Sequence, residues 1–584
     1  MENGELARLL ADVGVLLEIT GANPFRVRAY ENAARTVDDH PVPLKDMLAG
    51  GADLTALPGI GKDMAGHIRE AIETGRLTVL EELKRKVPYT LVGLVRLPGV
   101  GPKRARKLWE ALGVATLEEL EVAAAAGRIE QLEGFGKKTQ ARILEGIATL
   151  KRRGDRFGIA DADQLVAPLV AHLRRHPGVD RIEVAGSYRR RLETVGDIDI
   201  LVIAADPGPV MQHFTSYGRV RRTEMAGPTR GTVVLDSGLQ VDLRILPPES
   251  YGAALQYFTG SKAHNVKLRK RAVARGLSIS EYGVFEASEA TAEAERPPAG
   301  RRLGGATEED VYAAVGLHWI PPELREDRGE IEAAERGLPK LLTTDDMRGD
   351  LQMHTTWSDG KHSIRQMVDA CAKRGYQYCA ITDHSKTLAM TGGLDAQALR
   401  EQWREMDEVM ARRSDIRLLR SLEIDILRDG SLDLDDETIA GLDLVLVSIH
   451  TLLDLPPAQQ TRRILKAIEH PAVHVLAHPT GRLINRREPY AFDLDEVLHS
   501  AKQHDVALEL NAHPQRLDLR DTQAMLAREL GVRIVIDTDA HQVQELELMR
   551  YGVEQARRAW LEPKHVLNTQ PLTKLLRQLG KKKL

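Results

Sequence analysis

The sequence has little cysteine and no long hydrophobic run, and both absences limit what the protein can be. Only two of its 584 residues are cysteines, Cys371 and Cys379, which excludes a disulfide framework and a cysteine zinc site and favours a reducing compartment. No stretch reaches the roughly 18 uninterrupted apolar residues that a membrane span needs. The longest candidate is broken by Asp443 and Asp454. The first residues predict an amphipathic helix instead of a signal peptide, so we expect a cytoplasmic protein with no membrane partner.

The sequence also lacks a large net charge of either sign. The formal net charge is −4, which argues weakly against a nucleic-acid partner, but this value averages over the whole chain. Basic residues cluster locally at 151–153, 189–191 and 267–271. A single cluster is most simply a solvated face, so the clusters alone decide nothing.

The pattern of residues changes several times along the chain, and the length requires on the order of three or more domains. Helical periodicity gives way to strands and then to regular alternation of strands and helices, which indicates a parallel β/α architecture. We read 286–305 as a low-complexity mobile loop. The expected regions are two helical ones (1–85 and 86–155), a strand-rich one (156–260), a mixed one (261–325), a charged linker (326–348) and the alternating one (349–575).

One short pattern, apolar-Pro-Gly-apolar-Gly before an amphipathic helix, recurs in the helical part. It occurs at 57–61 and 97–101, and a degenerate copy with glutamate in place of proline lies at 132–136. Two glycines around one apolar residue permit a tight turn whose backbone N–H groups can hold a phosphate. A single Gly-x-Gly is usually only a turn, but three copies favour binding to a nucleic-acid backbone. The pattern resembles the helix-hairpin-helix motif of DNA repair proteins, with Gly59, Gly61, Gly99 and Gly101 as the DNA-binding positions.

Three carboxylates form the sharpest signal in the strand-rich region. Asp197 and Asp199 are two residues apart on a predicted strand, so both point to one face, and Asp242 lies on another predicted strand. Like charges on one face repel unless protons or cations intervene. Mg²⁺ or Mn²⁺ ions suit such oxygen ligands and also bind nucleotide phosphates. An acidic turn would explain Asp-x-Asp alone, but not the Gly186-Ser187 pair upstream or the basic helix downstream.

The Gly-Ser pair, the Asp-x-Asp motif and the distant Asp242 resemble the nucleotidyltransferases related to DNA polymerase beta. Tyr257-Phe258-Thr259-Gly260-Ser261 narrows the resemblance to the family X DNA polymerases, over residues 1–325. It implies that the three carboxylates bind the catalytic metals, with Asp242 helping to activate the primer 3′-hydroxyl, and that the substrates are dNTPs and gapped or primed double-stranded DNA. The positions that it implies for nucleotide binding are Ser187, Arg190, Gly196, Tyr257, Phe258, Gly260 and Asn265.

Further roles come from the same resemblance. Arg269 is expected to meet the template strand, and Arg244 to pair with an active-site carboxylate. Arg26 and Tyr30 match positions that bind the 5′-phosphate of a gap. The position of the family's lyase lysine is His67, and a histidine cannot form that Schiff base, so we predict weak or no lyase activity by this route.

The last third of the sequence carries a second set of metal ligands at the ends of predicted strands. In a β/α barrel, such positions converge at one face. The expected ligands are His354, Asp359, His384, Glu423, His450, His478, Asp539 and His541. Mixed imidazoles and carboxylates suit Mn²⁺, Zn²⁺ or Fe²⁺. We assign His362, His470, His474 and His499 to ordinary structural roles.

These motifs resemble the polymerase-and-histidinol-phosphatase (PHP) domain. The resemblance implies a distorted β/α barrel that holds up to three metal ions, hydrolyses phosphoesters and, in bacterial family X polymerases, acts as a 3′–5′ exonuclease. The family's first motif is His-x-His, but here Gln352 stands in the first position, so one metal position is weakened or differently occupied.

The leading interpretation is thus a multidomain α+β and α/β protein. Helical helix-hairpin-helix domains precede a nucleotidyltransferase palm and a PHP barrel, and the chain acts as a monomeric gap-filling polymerase of base excision repair, at the nucleoid. A second interpretation keeps the polymerase and makes the barrel a structural brace, with Gln352 in its favour. A DNA-binding scaffold is opposed by the intact carboxylates, and a small-molecule phosphatase by the attached hairpins.

Overall fold

The computed structural model describes residues 3–38, 44–57, 59–95, 97, 99–153, 156–287, 300–388, 391–411 and 413–580. The chain divides into two compact units, Met1–Gly154 and Asp155–Leu584. Most of the predicted mobile loop, 288–299, lies outside the described residues. Its last part, expected to be loop, instead forms a strand, because Arg302 and Gly304 pair with Phe285 and Val284.

The first unit is helical, as the sequence predicts. Its described helices are α1 (Asn3–Ile19), α2 (Pro24–Asp38), α3 (Leu44–Ala49), α4 (Lys62–Thr74), α5 (Thr78–Lys86), α6 (Leu91–Val95), α7 (Pro102–Leu112), α8 (Leu117–Ala125) and α9 (Lys137–Arg153). Leucines and isoleucines at helical spacing form one core, which includes Leu10, Ile68 and Leu108. Helices α4 and α7 end at Gly75 and Gly113, whose positive φ angles stop the helix.

The second unit begins with a five-stranded sheet, as predicted from the alternating strands. Its described elements are β1 (Phe157–Gly158), α10 (Ile159–Arg174), β2 (Arg181–Val184), α11 (Gly186–Arg189), β3 (Thr194–Val195), β4 (Asp197–Ile203), α12 (Pro207–Thr215), β5 (Val220–Ala226), β6 (Arg230–Leu235) and β7 (Gln240–Leu246). The strand order is β2-β4-β7-β6-β5, with β4 and β7 parallel and the other pairs antiparallel. Helices α10 and α12 cover one face and bury Val166, Val210 and Phe214 against Ile198 and Ile200.

A smaller mixed region follows the sheet. It contains α13 (Tyr251–Thr259), α14 (Lys262–Val273), β8 (Leu277–Ser280), β9 (Gly283–Glu286), β10 (Arg302–Gly304), α15 (Glu308–Ala314) and α16 (Glu330–Ala333). The segment 326–348, which the sequence suggested as a linker, packs into this region. Ile331, Ala334 and Leu341 share a core with Leu268 and Tyr312. The charge pattern is misleading because the few apolar residues of the segment are buried, Ile331 and Leu341 in this core and Leu342 and Met347 in that of the barrel region.

A parallel barrel completes the second unit. Its elements are β11 (Gly349–Asp350), α17 (Ile364–Lys373), β12 (Tyr378–Ile381), α18 (Ala396–Met410), β13 (Arg417–Asp425), α19 (Asp436–Ile439), β14 (Leu444–Ser448), α20 (Pro457–Ile468), β15 (Val475–Leu476), α21 (Leu494–Gln503), β16 (Ala507–Asn511), α22 (Asp521–Leu530), β17 (Ile534–Asp537), α23 (Met549–Arg558) and α24 (Leu572–Leu579).

Strands β11 to β17 pair in sequence order, and every pair is parallel. A bridge between Met353 and Ala540 brings the first strand back to the last, so the barrel is nearly closed. Helix α24 packs Leu575 and Leu579 against strand residues such as Tyr378 and Leu419. This arrangement confirms the predicted distorted β/α barrel and leaves the carboxyl ends of its strands to form a site.

Candidate active sites

All three glycine repeats form the same turn. The N–H of Ile60, Val100 or Phe135 donates to the carbonyl three residues earlier, and each of these apolar side chains is buried. The glycine before it has a positive φ, +75° at Gly59, +89° at Gly99 and +85° at the degenerate third repeat. A side chain is disfavoured in that conformation, which explains why glycine stands there.

The second glycine of the first two repeats begins a helix. Gly61 is the N-cap of α4 and Gly101 that of α7, and neither helix start is capped by a side chain. Ideal Cβ atoms at these two glycines would meet nothing within 4 Å. The N–H groups of the first turns, which start at Lys62 in α4 and at Lys103 after Pro102 in α7, therefore remain open to a phosphate.

Arg26, Tyr30 and His67 lie on neighbouring helices of the same unit. Arg26 is exposed, whereas the Tyr30 ring is buried and stacks on the His67 ring at 5.9 Å between centroids. Burial raises the pKa of the Tyr30 phenol, and the Arg26 guanidinium beside it opposes that rise. The structure thus brings the predicted phosphate-binding pair next to the histidine that replaces the lysine.

The three palm carboxylates meet at one edge of the five-stranded sheet. Asp199 on β4 lies directly opposite Asp242 on β7, and Asp197 occupies the preceding position on the same face of β4. Burial, together with the charges of Asp197 and Asp242, raises the pKa of Asp199 to about 7. Thr232 and Gln240 donate hydrogen bonds to Asp242 and fix its carboxylate. An all-oxygen set with this excess of negative charge fits divalent cations.

The predicted nucleotide-binding positions Ser187 and Gly196 adjoin this edge. Gly186 lies close to Asp199, since a Cβ atom added to Gly186 would stand 3.1 Å from Asp199 Oδ2. Ser187, the next residue, is therefore near the carboxylates. Gly196 directly precedes Asp197. A Cβ atom added to Gly196 would stand 3.1 Å from Nη1 of Arg156. Two glycines therefore keep the backbone near the carboxylates free of side chains.

Arg190 is engaged elsewhere in this structure. Its Nη1 donates to the carbonyl of Thr259, and its Nε donates to Glu326 Oε1 at 3.0 Å. The predicted triphosphate ligand is thus held in an ion pair that an incoming anion must replace. Gly260 adjoins the bonded carbonyl and has a φ of +68°.

The aromatic pair of the second motif lies beside the same site. The Tyr257 and Phe258 rings meet edge to face at 5.1 Å between centroids. Arg244 lies over the Phe258 ring at 4.1 Å. Its charge lowers the pKa of Asp199, but among the described residues Arg244 forms no ion pair within 4.0 Å, so the expected carboxylate pair is replaced by a ring contact.

Asn265 and Arg269 lie one turn apart on α14. The Asn265 amide donates to the Tyr257 carbonyl at 2.7 Å and accepts from Gln256 Nε2 at 2.7 Å. Asn265 is therefore fixed against the aromatic pair, with one amide hydrogen left for a ligand. Arg269 is exposed, and its Nε donates to the carbonyl of Asn265 at 3.3 Å.

The barrel brings the eight predicted metal ligands together. His354 Nε2 lies 3.1 Å from Asp539 Oδ1, and His384 Nδ1 lies 3.3 Å from Glu423 Oε2. Two groups can each hold an ion, with His384 shared between them. The first is His354, Asp359, His384 and His541, and the second is His384, Glu423 and His450. His478 reaches Glu423 Oε1 at 2.8 Å and completes the cluster.

Several ligand atoms in this cluster have no hydrogen-bond partner among the described residues. They are His354 Nδ1, His478 Nδ1, Glu423 Oε2 and both polar atoms of Gln352. Gln352 is fully buried and lies two residues before His354, just after strand β11. Buried polar atoms are rarely left unpaired, so these orphaned donors and acceptors fit a metal-binding site.

The charges in the cluster are strongly coupled. Burial opposes protonation of His384, but Glu423 and Asp359 outweigh it and raise the pKa of His384 to about 9. The pKa of His541 rises to about 10 for the same reason, with Asp359 and Asp539 as the carboxylates. The carboxylates thus favour positive charge within the cluster, which bound divalent ions can supply.

Four further residues of this site escaped the sequence analysis. Asp425 accepts from His450 Nδ1 at 3.0 Å, Asn511 donates to Asp539, and Asp383 fixes the Thr355–Ser358 turn through three hydrogen bonds. Arg516 Nε lies 3.5 Å from Asp539 Oδ2 and brings a cation to the edge of the cluster. Asp425 follows Glu423 at strand spacing and could have been found, but the other contacts join distant parts of the chain.

The fold and the two clusters define a polymerase beta-like nucleotidyltransferase joined to a PHP domain. Residues 1–77 match the helix-hairpin-helix domain, 92–149 the SAM-like helix-hairpin-helix tandem, 254–326 the DNA polymerase beta thumb, and 350–513 the PHP domain. No helix in the described part of the chain is long and apolar enough to cross a membrane.

Curated relatives match the whole chain or its first half. The chain is 40% identical over 574 residues, 98% of both chains, to the DNA polymerase/3′-5′ exonuclease PolX of Bacillus subtilis (strain 168). It is 27% identical over 320 residues to DNA polymerase lambda of Arabidopsis thaliana, covering 51% of this chain and 57% of that one. The chain therefore belongs to the family X DNA polymerases that carry a PHP domain.

Proposed function

We propose that this protein is a DNA-directed DNA polymerase that fills short gaps during base excision repair, and that its barrel is a metal-dependent 3′–5′ exonuclease. The register that sets Asp199 opposite Asp242 carries the polymerase part of the proposal. The convergence of eight ligands in the barrel carries the nuclease part. The proposal assigns the protein to the cytoplasm, at the nucleoid, and to a monomeric state.

In the palm, Asp197, Asp199 and Asp242 hold Mg²⁺ or Mn²⁺. Such ions stabilise the charge that develops on the attacking and leaving oxygens of an in-line displacement. The protein's own contribution is positioning: Gly186 and Gly196 leave room for the triphosphate, and Thr232 and Gln240 hold Asp242. Asp242 accepts the proton of the primer 3′-hydroxyl.

The sugar and base of the dNTP lie against the aromatic pair. Tyr257 and Phe258 present ring faces and edges beside the carboxylates, and Arg244 holds Phe258 from behind. The remaining amide hydrogen of Asn265 meets the incoming base, and the exposed Arg269 contacts the template strand.

In the barrel, the eight residues and Gln352 hold up to three ions, for which Mn²⁺, Zn²⁺ or Fe²⁺ are suitable. Divalent ions held by these residues would supply positive charge for a phosphodiester and a more acidic water for its hydrolysis. Asp383, Asp425 and Asn511 orient the ligands, in the manner of outer hydrogen-bond partners. Arg516 binds the scissile phosphate, because its guanidinium lies at the edge of the ligand cluster, 3.5 Å from Asp539, where it can also reach an anion.

The barrel also acts as a brace, which one observation favours. Leu517 and Tyr551, both from the barrel region, are buried in the core of the palm sheet. Removing the barrel would therefore expose apolar surface of the polymerase. The two roles coexist, since the same region carries both the buried contacts and the ligand cluster.

The proposal excludes the lyase route through α4. His67 occupies the position of the Schiff-base lysine and stacks on Tyr30. We expect no borohydride-trapped adduct with DNA that carries a 5′-deoxyribose phosphate. A trapped adduct that disappears in Lys62→Ala would show that another lysine serves, and this part of the proposal would be wrong.

The polymerase assignment is tested by extension of a primer across a one-nucleotide gap. Wild-type protein with Mg²⁺ or Mn²⁺ should insert one templated nucleotide, and Asp199→Asn should lose at least about 100-fold in kcat, because one metal ligand loses its charge. Equal activity of the two proteins would exclude these carboxylates as the site. An inactive wild type on every gapped and primed substrate would exclude the polymerase itself.

A further inference from the structure

Helix α23 of the barrel region lies against the loop that carries the proposed triphosphate ligands. Gln555 Nε2 donates to the carbonyl of Arg191 at 2.9 Å, and Arg558 Nη1 donates to the carbonyl of Arg190 at 2.7 Å. Residues three apart lie on the same face of a helix, so one face of α23 holds two successive carbonyls of this loop.

The same helix explains Arg191, which occupies a position where a small residue would be easier to accommodate. Its φ is +56°, a conformation that disfavours a side chain. Its guanidinium pairs with Asp163 at 3.0 Å and with Glu554 at 2.8 Å. Tyr551 donates to Asp163 as well, so α23 reaches the palm through two of its residues here. The strained turn is thus stabilised by Asp163 of the palm and by Glu554 and Gln555 of α23.

A shared carboxylate connects α23 to Arg190 itself. Glu326 Oε1 accepts from Arg190 Nε at 3.0 Å and from Arg558 Nη1 at 3.0 Å. All three side chains are at least four-fifths buried. A triphosphate that takes Arg190 would leave a buried glutamate beside it, and the two negative charges would repel. Arg558 prevents this, because it neutralises Glu326 whether or not Arg190 stays.

We propose that Arg558 is a positioning residue of the polymerase active site, supplied by the PHP region. It fixes the backbone of the Arg190 loop and keeps Glu326 neutralised when Arg190 turns to the triphosphate. This inference rests on the proposed polymerase function. Its own partners, Arg190, Glu326 and Asp521, are not among the ligands of the barrel cluster.

The position of Arg558 is fixed independently of Arg190. Its Nη2 donates to Asp521 Oδ2 at 2.7 Å, and Arg328 donates to the same oxygen at 2.9 Å. Loss of Arg558 therefore leaves Asp521 paired with Arg328, while Glu326 keeps Arg190 as its remaining cation partner. Arg190 would then be bound more tightly to Glu326 and less available to a nucleotide.

The neighbouring arginine provides a matched control. Arg557 precedes Arg558 on α23, but it pairs with Glu323 at 2.7 Å and donates to the carbonyl of Leu342. It joins the same two regions and contacts neither Glu326 nor the Arg190 loop within the described structure. A general loosening of the interface would affect both arginine variants alike.

The test is steady-state insertion into a one-nucleotide gap by the full-length protein, with the dNTP concentration varied. Arg558→Gln should raise the KM for dNTP by about tenfold or more, the range for a lost charged hydrogen bond, and change kcat much less. Arg558→Lys should recover part of that loss, and Arg557→Gln should resemble wild type. Adding Glu326→Gln to Arg558→Gln should lower the KM again, since the charge that repels the triphosphate is gone.

An unchanged KM in Arg558→Gln, or an equal rise in Arg557→Gln, overturns the inference. A rise that Glu326→Gln does not reverse also overturns it. Thermal unfolding of each variant checks the fold, and Arg558→Lys replaces the glutamine variant if the latter unfolds. The two failures can be told apart. If the wild-type protein neither inserts nor binds dNTP, the proposed polymerase function is wrong. If the wild type inserts nucleotides and Arg558→Gln has an unaltered KM for dNTP, only the inference about Arg558 is wrong.

Discussion

Asp199 and Asp242 lie directly opposite each other on neighbouring parallel strands, with their carboxylates on one face of the sheet. Burial and the charges of Asp197 and Asp242 raise the pKa of Asp199 to about 7. The clustered negative charges of the three carboxylates thus lower the stability of the folded protein when no cation is bound. Such an arrangement is typical of a site built for cations, and it makes stability and metal binding oppose each other.

Substitution of Asp199 should therefore stabilise the protein without metal. In EDTA at pH 8, Asp199→Asn removes a repelled charge and should raise the free energy of unfolding by about 1 kcal/mol or more. Thermal unfolding measures this, with the exposed Asp236→Asn as a control that should change little. A lower melting temperature for Asp199→Asn than for wild type would contradict the electrostatic account.

The glycine turns should show a loss of DNA binding that is separable from a loss of stability. Gly99→Ala and Gly113→Ala both place a side chain at positive φ, +89° and +68°, and each should cost about 1 kcal/mol. Only Gly99 belongs to a hairpin turn, so only Gly99→Ala should weaken binding to gapped duplexes, by a similar factor for any sequence. Equal weakening by both variants in a fluorescence titration would remove the turns from the DNA contact.

Gln352 should act as a metal ligand that destabilises the metal-free fold. Both of its polar atoms are buried without a partner among the described residues, so Gln352→Leu should stabilise the protein in EDTA by about 1–2 kcal/mol. The same variant should gain less stability from Mn²⁺ than wild type does. Gln460 is also buried with an unpartnered amide, and Gln460→Leu should leave the gain from Mn²⁺ unchanged. Equal gains in wild type and Gln352→Leu would show that the amide does not bind metal.

The two ion pairs of Glu308 should make folding sensitive to acid. Burial disfavours a charged Glu308, but Arg325 and Arg189 outweigh it and lower the pKa of Glu308 to about 2. Because the folded value lies below the ordinary 4.5, this stabilisation is complete above pH 4.5 and is lost as the pH falls towards 2. Urea unfolding at pH 7 and pH 3 should show a smaller loss for Glu308→Gln than for wild type, and an equal loss in both would contradict the assignment.

The sequence predicted the elements whose signal is local. Asp197 and Asp199 alternate with buried isoleucines, and that period alone sets them on one face of β4. The third hairpin was read as degenerate, yet its turn matches the others, because Gly134 supplies the positive φ and Phe135 supplies the buried side chain. Local backbone geometry depends on these two positions and not on the proline.

Features that depend on distant contacts could not be predicted. The role of Arg191 could not be predicted, because its partner Glu554 comes to it from more than half the chain away. Arg516 gave no signal because its partner, Asp539, lies beyond the end of the next strand, β17. The charged stretch at 326–348 suggested a linker, although Glu330 is fully buried and bonded to His264. Charge alone does not reveal whether a buried partner exists.

The most direct test of the two-site account uses a 5′-labelled one-nucleotide-gapped duplex with Mn²⁺, with and without dNTPs. Wild type should extend the primer with dNTPs and shorten it without them. Asp197→Ala should lose extension and keep shortening, and His384→Ala should lose shortening and keep extension, because the two residues belong to separate clusters. Loss of both activities in either variant, or shortening that survives His384→Ala, would contradict the account.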